Sequence, residues 1–178
     1  MQAIQTVTVG SGGAASITFS SIPATFTDLV LVISSRLTLG ATSSSLGVFL
    51  NTAASDTSYR VLRGNGSNVA SETNSGQQDF YVGETAASSA TASTFGSTQV
   101  TIPNYLGSQQ KSMSADQVME NNATTAFQTI SAGLCTKTAA VTSLTVRGFA
   151  GSSGNLVEHS SATLYGILAG SDGTTTVT

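Results

Sequence analysis

The apolar positions of this chain fall mostly at every second residue. Val7 and Val9 alternate with Thr6 and Thr8, Ile17 and Phe19 with Thr18 and Ser20, and Val100 and Ile102 flank Thr101. Leu46, Val48 and Leu50 share one side, as do Leu144 and Val146. Near the end, Ala162, Leu164, Gly166 and Leu168 oppose Thr163, Tyr165 and Ile167. A period of two puts alternate side chains on opposite faces of an extended chain, so each stretch predicts a half-buried β-strand. The branched Val and Thr that fill them suit a pleated surface. Leu29–Ile33 departs from the pattern. It is continuously apolar and too short for an ordinary helix, which predicts a central strand covered on both faces. Pro23, just upstream, fixes its own φ and lacks an N–H donor, so it belongs at a corner or strand edge.

Turn signals separate the runs. Gly10-Ser11-Gly12-Gly13 predicts a hairpin between the first two strands, and the Asn-Gly pair of Gly64-Asn65-Gly66-Ser67 predicts another. Gly151–Asn155 predicts a loop, and the small-residue stretches Thr38–Ser45 and Ala86–Thr94 predict exposed loops. Two stretches are ambiguous. Between Ser112 and Glu120 the alternation of Met113 and Ala115 slips before Val118 and Met119, and Phe127, Ile130 and Leu134 have helical spacing. Thr129, Ser131 and Gly133 are poor helix formers, so both stretches read as strands with bulges, with a short helix near Asn121–Ala126 as the alternative for the link. There is no internal repeat. Many short strands and two prolines predict one all-β domain over residues 1–178, a single antiparallel β-sandwich of jelly-roll type.

Composition sharpens this picture. The 178 residues suffice for one core. Charged residues make up only 8% of the chain, against about 25% in ordinary domains. With a net charge of -3, little repulsion opposes association. The six cations, Arg36, Arg60, Arg63, Lys111, Lys137 and Arg147, are scattered, which argues against nucleic acid as a partner. The start of the chain shows no basic stretch followed by an apolar one, and the longest apolar run, Leu29–Ile33, is far below the ~20 residues that span a bilayer. A soluble product made in the cytoplasm, with no membrane partner, is therefore expected.

Chemistry finds few parts. His159 is the only imidazole, Cys135 the only thiol, and no Gly-x-Ser-x-Gly elbow occurs. One His and one Cys cannot build a zinc site of the usual kind. The nine carboxylates are spread out, and neither Asp116 with Glu120 nor Asp79 with Glu84 has a spacing that signals a hydrolytic pair. Cys135 lies in an apolar stretch, which predicts burial and not reactivity. The expectation is a protein that is not an enzyme, with no catalytic, cofactor-binding or metal-binding residue and no cofactor.

Five blocks of sequence, in order, resemble a group of small virion proteins encoded by tailed phages. They are Ile17–Arg36 with its Ile-Pro-Ala-Thr-Phe-Thr-Asp-Leu core, Tyr59-Arg60 followed by Gly64-Asn65-Gly66-Ser67, and Val100–Tyr105 followed by Lys111-Ser112. Thr129–Leu134 with Thr138–Leu144, and Ala162–Ile167, complete the set. Cys135 departs from the pattern, since an aromatic is common there in the group. The resemblance implies a β-sandwich on the surface of a virion, made in the host cytoplasm, and carries over no catalytic residue. It reads Gly166 as a point of tight backbone approach. The leading expectation is a capsid decoration or cement protein, partnered by itself as a homotrimer and by the major capsid protein. The terminal segments 1–9 and 170–178 would reach neighbouring subunits. The alternative is a tail-fibre or receptor-binding head whose loops Thr38–Ser45 and Ala86–Thr94 touch a host glycan.

Overall fold

The computed structural model describes residues 1–151 and 154–169. Twelve strands follow one another: β1 (Gln2–Thr8), β2 (Ser16–Phe19), β3 (Asp28–Ser35), β4 (Ser43–Leu50), β5 (Thr57–Gly64), β6 (Val69–Gln77), β7 (Phe80–Ala86), β8 (Gly96–Ile102), β9 (Lys111–Glu120), β10 (Ala126–Cys135), β11 (Leu144–Gly148) and β12 (Ser161–Ile167). They form a large layer, β1-β12-β3-β8-β9-β10-β5-β6, and a small layer, β2-β11-β4-β7.

The pairing shows how the chain is wound. β1 pairs with β12, β2 with β11, β3 with β8 and β4 with β7, all antiparallel. First meets last and second meets next to last, so these eight strands are one long hairpin rolled into two facing layers, a jelly roll. Two hairpins are inserted, β5–β6 between β4 and β7 and β9–β10 between β8 and β11. Together they widen one layer to eight strands while the other keeps four. The all-β sandwich expected from the alternation is therefore formed. Its core lies between the layers, where Leu29, Leu31, Ile33, Val100 and Leu164 meet Leu46, Val48, Phe80, Val82 and Leu144, all buried. Each such side chain contributes roughly 1.5–3 kcal/mol relative to exposure.

β7 is an edge of the small layer and is nonetheless buried along its whole length. β9, β10 and β5 pack against it. The Gln117 amide accepts from the Glu84 N–H at 3.2 Å and donates to the Glu84 carbonyl, so a side chain stands in for a neighbouring strand. β6, at the far edge of the large layer, is exposed almost throughout.

Several expectations change. Gly10–Gly13 joins strands of different layers, so it is a crossover and not a hairpin. Leu29–Ile33 lies inside its layer and is covered on its outer side only in part, since Val30 is buried there while Val32 is 40% exposed. β9 and β10 run in register without bulges. In β9 the inward positions are Lys111, Met113, Ala115, Gln117 and Met119, so the apparent slip is a buried Gln beside an exposed Val118. No helix forms near Asn121–Ala126. The Asn121 carboxamide instead accepts from the N–H groups of Ala123 and Thr125, both at 3.0 Å, closing a turn. The stretch Thr38–Ser45 is not all loop, because β4 begins at Ser43, and Ala86 and Ala87 are buried. Residues 2–8 form β1, an edge strand paired on one side with β12 of the same chain, which leaves its other side open to a neighbouring subunit. Residues 170–178 lie outside the described residues.

Parts of three of the blocks that resemble virion proteins meet at one end of the sandwich, whereas the Gly64–Ser67 turn of the second block lies at the other end. The Asn104 N–H donates to Asp28 at 2.8 Å and the Tyr105 hydroxyl donates to the Pro23 carbonyl. The Val141 N–H reaches the Tyr105 carbonyl at 2.9 Å, and Ile22 N–H the Thr142 carbonyl at 3.0 Å. Lys111 is buried there, its ammonium donating to the carbonyls of Gly107 at 2.6 Å, Gln109 at 2.5 Å and Thr138 at 3.4 Å. Lys111→Met keeps the stem and strips those carbonyls of their donor, and a loss of about 3 kcal/mol is expected in urea unfolding. An unchanged midpoint would show that the carbonyls find water instead. Gly166 is the tight approach expected of it, since a Cβ there would lie 2.2 Å from the Phe26 ring.

Candidate functional site

Half of the side chains of the large layer point away from the small one, and the ladder registers arrange them in rows. The central row runs Thr6, Thr163, Val32, Gln99, Asp116, Ile130, Leu62 and Ser71 across all eight strands. The row on one side holds Ser34, Ser97, Val118, Gln128, Gly64 and Val69, and the row on the other Tyr165, Val30, Thr101, Ser114, Ala132, Arg60 and Thr73. Leu62, Val69, Val118 and Ile130 are each about half or more exposed on this face. The only charged members of the three rows are Asp116 and Arg60, and neither is in an ion pair among the described residues. Shallow hollows of about 300 Å³ lie beside Asp116, between Ser97, Gln99 and Val118, and beside Arg60, between Ser58, Ala132 and Leu134. A broad, nearly neutral face of hydroxyls and scattered large apolar groups is suited to burial against protein.

A second polar cluster lies between the layers. The Glu84 carboxylate accepts from Ser45 at 3.1 Å, Tyr81 at 3.0 Å and Arg63 at 3.3 Å, and Arg63 also bridges to Glu72 at 3.0 Å. A bulge in the β4–β7 pairing, with Gly83 at φ 129°, lets Tyr81 and Glu84 meet. Arg63 stacks over Phe127 at 5.4 Å. Burial and the Glu84 charge push the Tyr81 hydroxyl well above the usual tyrosine range. With its Oε1 accepting from three side chains, Glu84 holds the inserted strands to β7.

The residues weighed for chemistry are not brought together. His159 is exposed in the turn before β12, at φ 71°. Asp79 binds Arg147 and Glu84 binds Arg63, at separate places. Asp116 and Glu120 are exposed on the outer face of β9. Among the described residues no three or more of His, Cys, Asp and Glu are grouped to hold a metal ion, and no helix is long and apolar enough to cross a membrane. Cys135 is buried, and burial raises its thiol above the ordinary 9.0.

Cys135 and Tyr81 make a joint prediction about pH. Both have folded values above their unfolded ones, so the neutral form is favoured by folding. Their contribution is fully present below the unfolded values of 9.0 and 10.0 and is lost as pH rises toward the folded ones. The urea midpoint should hold steady up to pH 9 and fall above pH 10. A midpoint that rises over that interval would contradict the burial of both groups.

The loops expected to touch a ligand come together at the end of the sandwich opposite the block corner. Ala87, Ser88 and Ser89 donate N–H bonds to Thr42, Leu39 and Ala41. Arg36, 9% exposed, grips the second loop by its carbonyls, Ala90 at 3.0 Å, Thr91 at 2.8 Å and Thr94 at 3.1 Å. The outer-face patch was not singled out in the sequence, although its signal was there. Val118 and Ile130, which spoil the alternation, are the residues that point outward. Comparison with protein-family models, with curated proteins and with solved structures gave no match to this chain.

Proposed function

We propose that this chain is a structural protein of a tailed-phage virion that decorates the capsid, binding copies of itself and the major capsid protein at the outer surface of the shell. The observation that carries this reading is the wide, charge-poor outer face of the large layer, which the inserted hairpins double from four strands to eight. The ordered sequence blocks support the phage assignment, and parts of three of them pack together at one corner. The mechanism is mass action: a subunit that binds only the assembled lattice favours the assembled state.

A second reading, a receptor-binding head of a tail fibre, is favoured by one feature. The Arg36-gripped loops form a tip with Leu39 exposed, suited to a host glycan. Quantitative mass spectrometry of virions of the encoding phage separates the two. Copies in the hundreds per particle are expected for decoration. A few dozen or fewer favours the fibre, and absence from the particle overturns both.

A further inference from the structure

We propose that copies of this chain meet one another through the outer face of the large layer, with Arg60 of one copy against Asp116 of the next. The inference rests on the assembly reading above and names the partner of that face.

The first argument is the apolar pattern. An antiparallel sheet with one face in water carries polar residues at its outward positions. Here Val32, Leu62, Val118 and Ile130 occupy outward positions on four strands, β3, β5, β9 and β10. Ile130 and Leu62 are neighbours in the central row and Val118 lies one row away on the strand beside Ile130, so these three cluster, while Gln99 and Asp116 separate Val32 from them.

The second argument is charge. The three rows hold one positive and one negative side chain, on β5 and β9, flanking β10 and one row apart. Neither is in an ion pair within its own chain among the described residues. Glu120 adds a second negative charge towards the end of β9, but the Arg60 and Asp116 pair, set on either side of a shared strand, is complementary to itself. A strongly acidic or basic partner would find no match on it. A two-fold axis along β10 lays β5 of one copy over β9 of the other. Arg60 then falls one row, about 7 Å along the strand, from Asp116, within reach of its side chain. The hollow of about 300 Å³ beside Asp116 has room for the guanidinium.

The third argument is area. The two-fold axis along β10 sets five strands of each copy, β8, β9, β10, β5 and β6, face to face, and at about 4.8 Å between strands and about seven residues of ~3.4 Å each they cover roughly 570 Å². Two such faces bury roughly 1,100 Å² in all, close to the ~1,200 Å² at which specific interfaces begin, and they cover Leu62, Val118 and Ile130.

The test uses the purified full chain and sedimentation velocity. The wild type is expected to be an oligomer. Ile130→Glu, at the centre of the face, should give a monomer with an unchanged β-sheet circular dichroism spectrum. Arg60→Glu and Asp116→Arg should each weaken association by roughly tenfold or more, and the two together in one chain should restore it. Both charged residues are exposed, so this exchange remains decisive if the Ile130 variant fails to fold. A monomeric wild type, an oligomer indifferent to Ile130→Glu in a folded chain, or a double variant no better than the singles overturns the proposal. A monomer abundant in virions would overturn this inference and leave the virion reading standing. An oligomer formed through this face but missing from virions would do the reverse.

Discussion

Replacing Asp79 by alanine should cost about 3–4 kcal/mol, a fall of roughly 10 °C in melting temperature for a chain of this size. Asp79 is fully buried at the start of β7. Its carboxylate accepts from Arg147 Nη2 at 2.9 Å, from Arg147 Nε at 3.2 Å and from the Ala150 N–H at 2.6 Å. Arg147 is held from its other side by the Phe49 ring at 4.9 Å. Removing the carboxylate leaves a cation and a backbone donor facing a void, and the cost is that of stranded donors more than of the lost attraction. Two comparisons test that cause in thermal melts. Asp79→Asn, which keeps one acceptor oxygen, should lose less than Asp79→Ala. Adding Arg147→Met to Asp79→Ala should recover part of the loss, because no guanidinium is then left unpaired. A double variant as unstable as the sum of the singles would refute the stranded-charge account.

Gly133→Ala should also lose about 3 kcal/mol, against the direction that strand propensity alone suggests. In a strand interior glycine is worse than alanine by roughly 0.5–1 kcal/mol, so on an open strand this change would stabilise. At Gly133 a Cβ would lie 2.4 Å from Phe80 Cδ2 and 2.5 Å from Cε2. Phe80 is fully buried, so its ring cannot give way without displacing the core. Phe80→Leu shortens the opposing side chain and should rescue Gly133→Ala, with the pair more stable than the sum of the two losses. A single-variant loss below about 1 kcal/mol, or the absence of rescue, would mean that the layers are not in contact there.

These two sites show how far the sequence could be read. The strands of clear alternation, such as Leu144–Val146 and Leu46–Leu50, were legible because one of their faces meets the core. β6 was not, since it is exposed on both faces and owes its form to pairing with β5. β7 was not, for the opposite reason: it is buried on both faces, and the bulge at Gly83 breaks any period. The candidate interface was written into the sequence as disorder in the pattern. Phe127 points inward while Ile130 and Leu134 point outward, and this mixture imitated a helix. Val118 outside and Gln117 inside imitated a bulge. The Asp79–Arg147 pair joins residues 68 positions apart, and nothing near either one announces the other.

By itself, then, the sequence determined that this chain is extended, where most strands lie, which turns carry glycine, and that its surface is poor in charge. Those properties depend on neighbours along the chain, where a period of two or an Asn-Gly pair acts directly on the backbone. Only the tertiary structure decided which layer each strand joins, which glycines lie under a ring, and which apolar residues face outward. Those depend on contacts between residues far apart in the chain. A strand records that it has two faces, but what covers each face is settled by the packing of the whole roll.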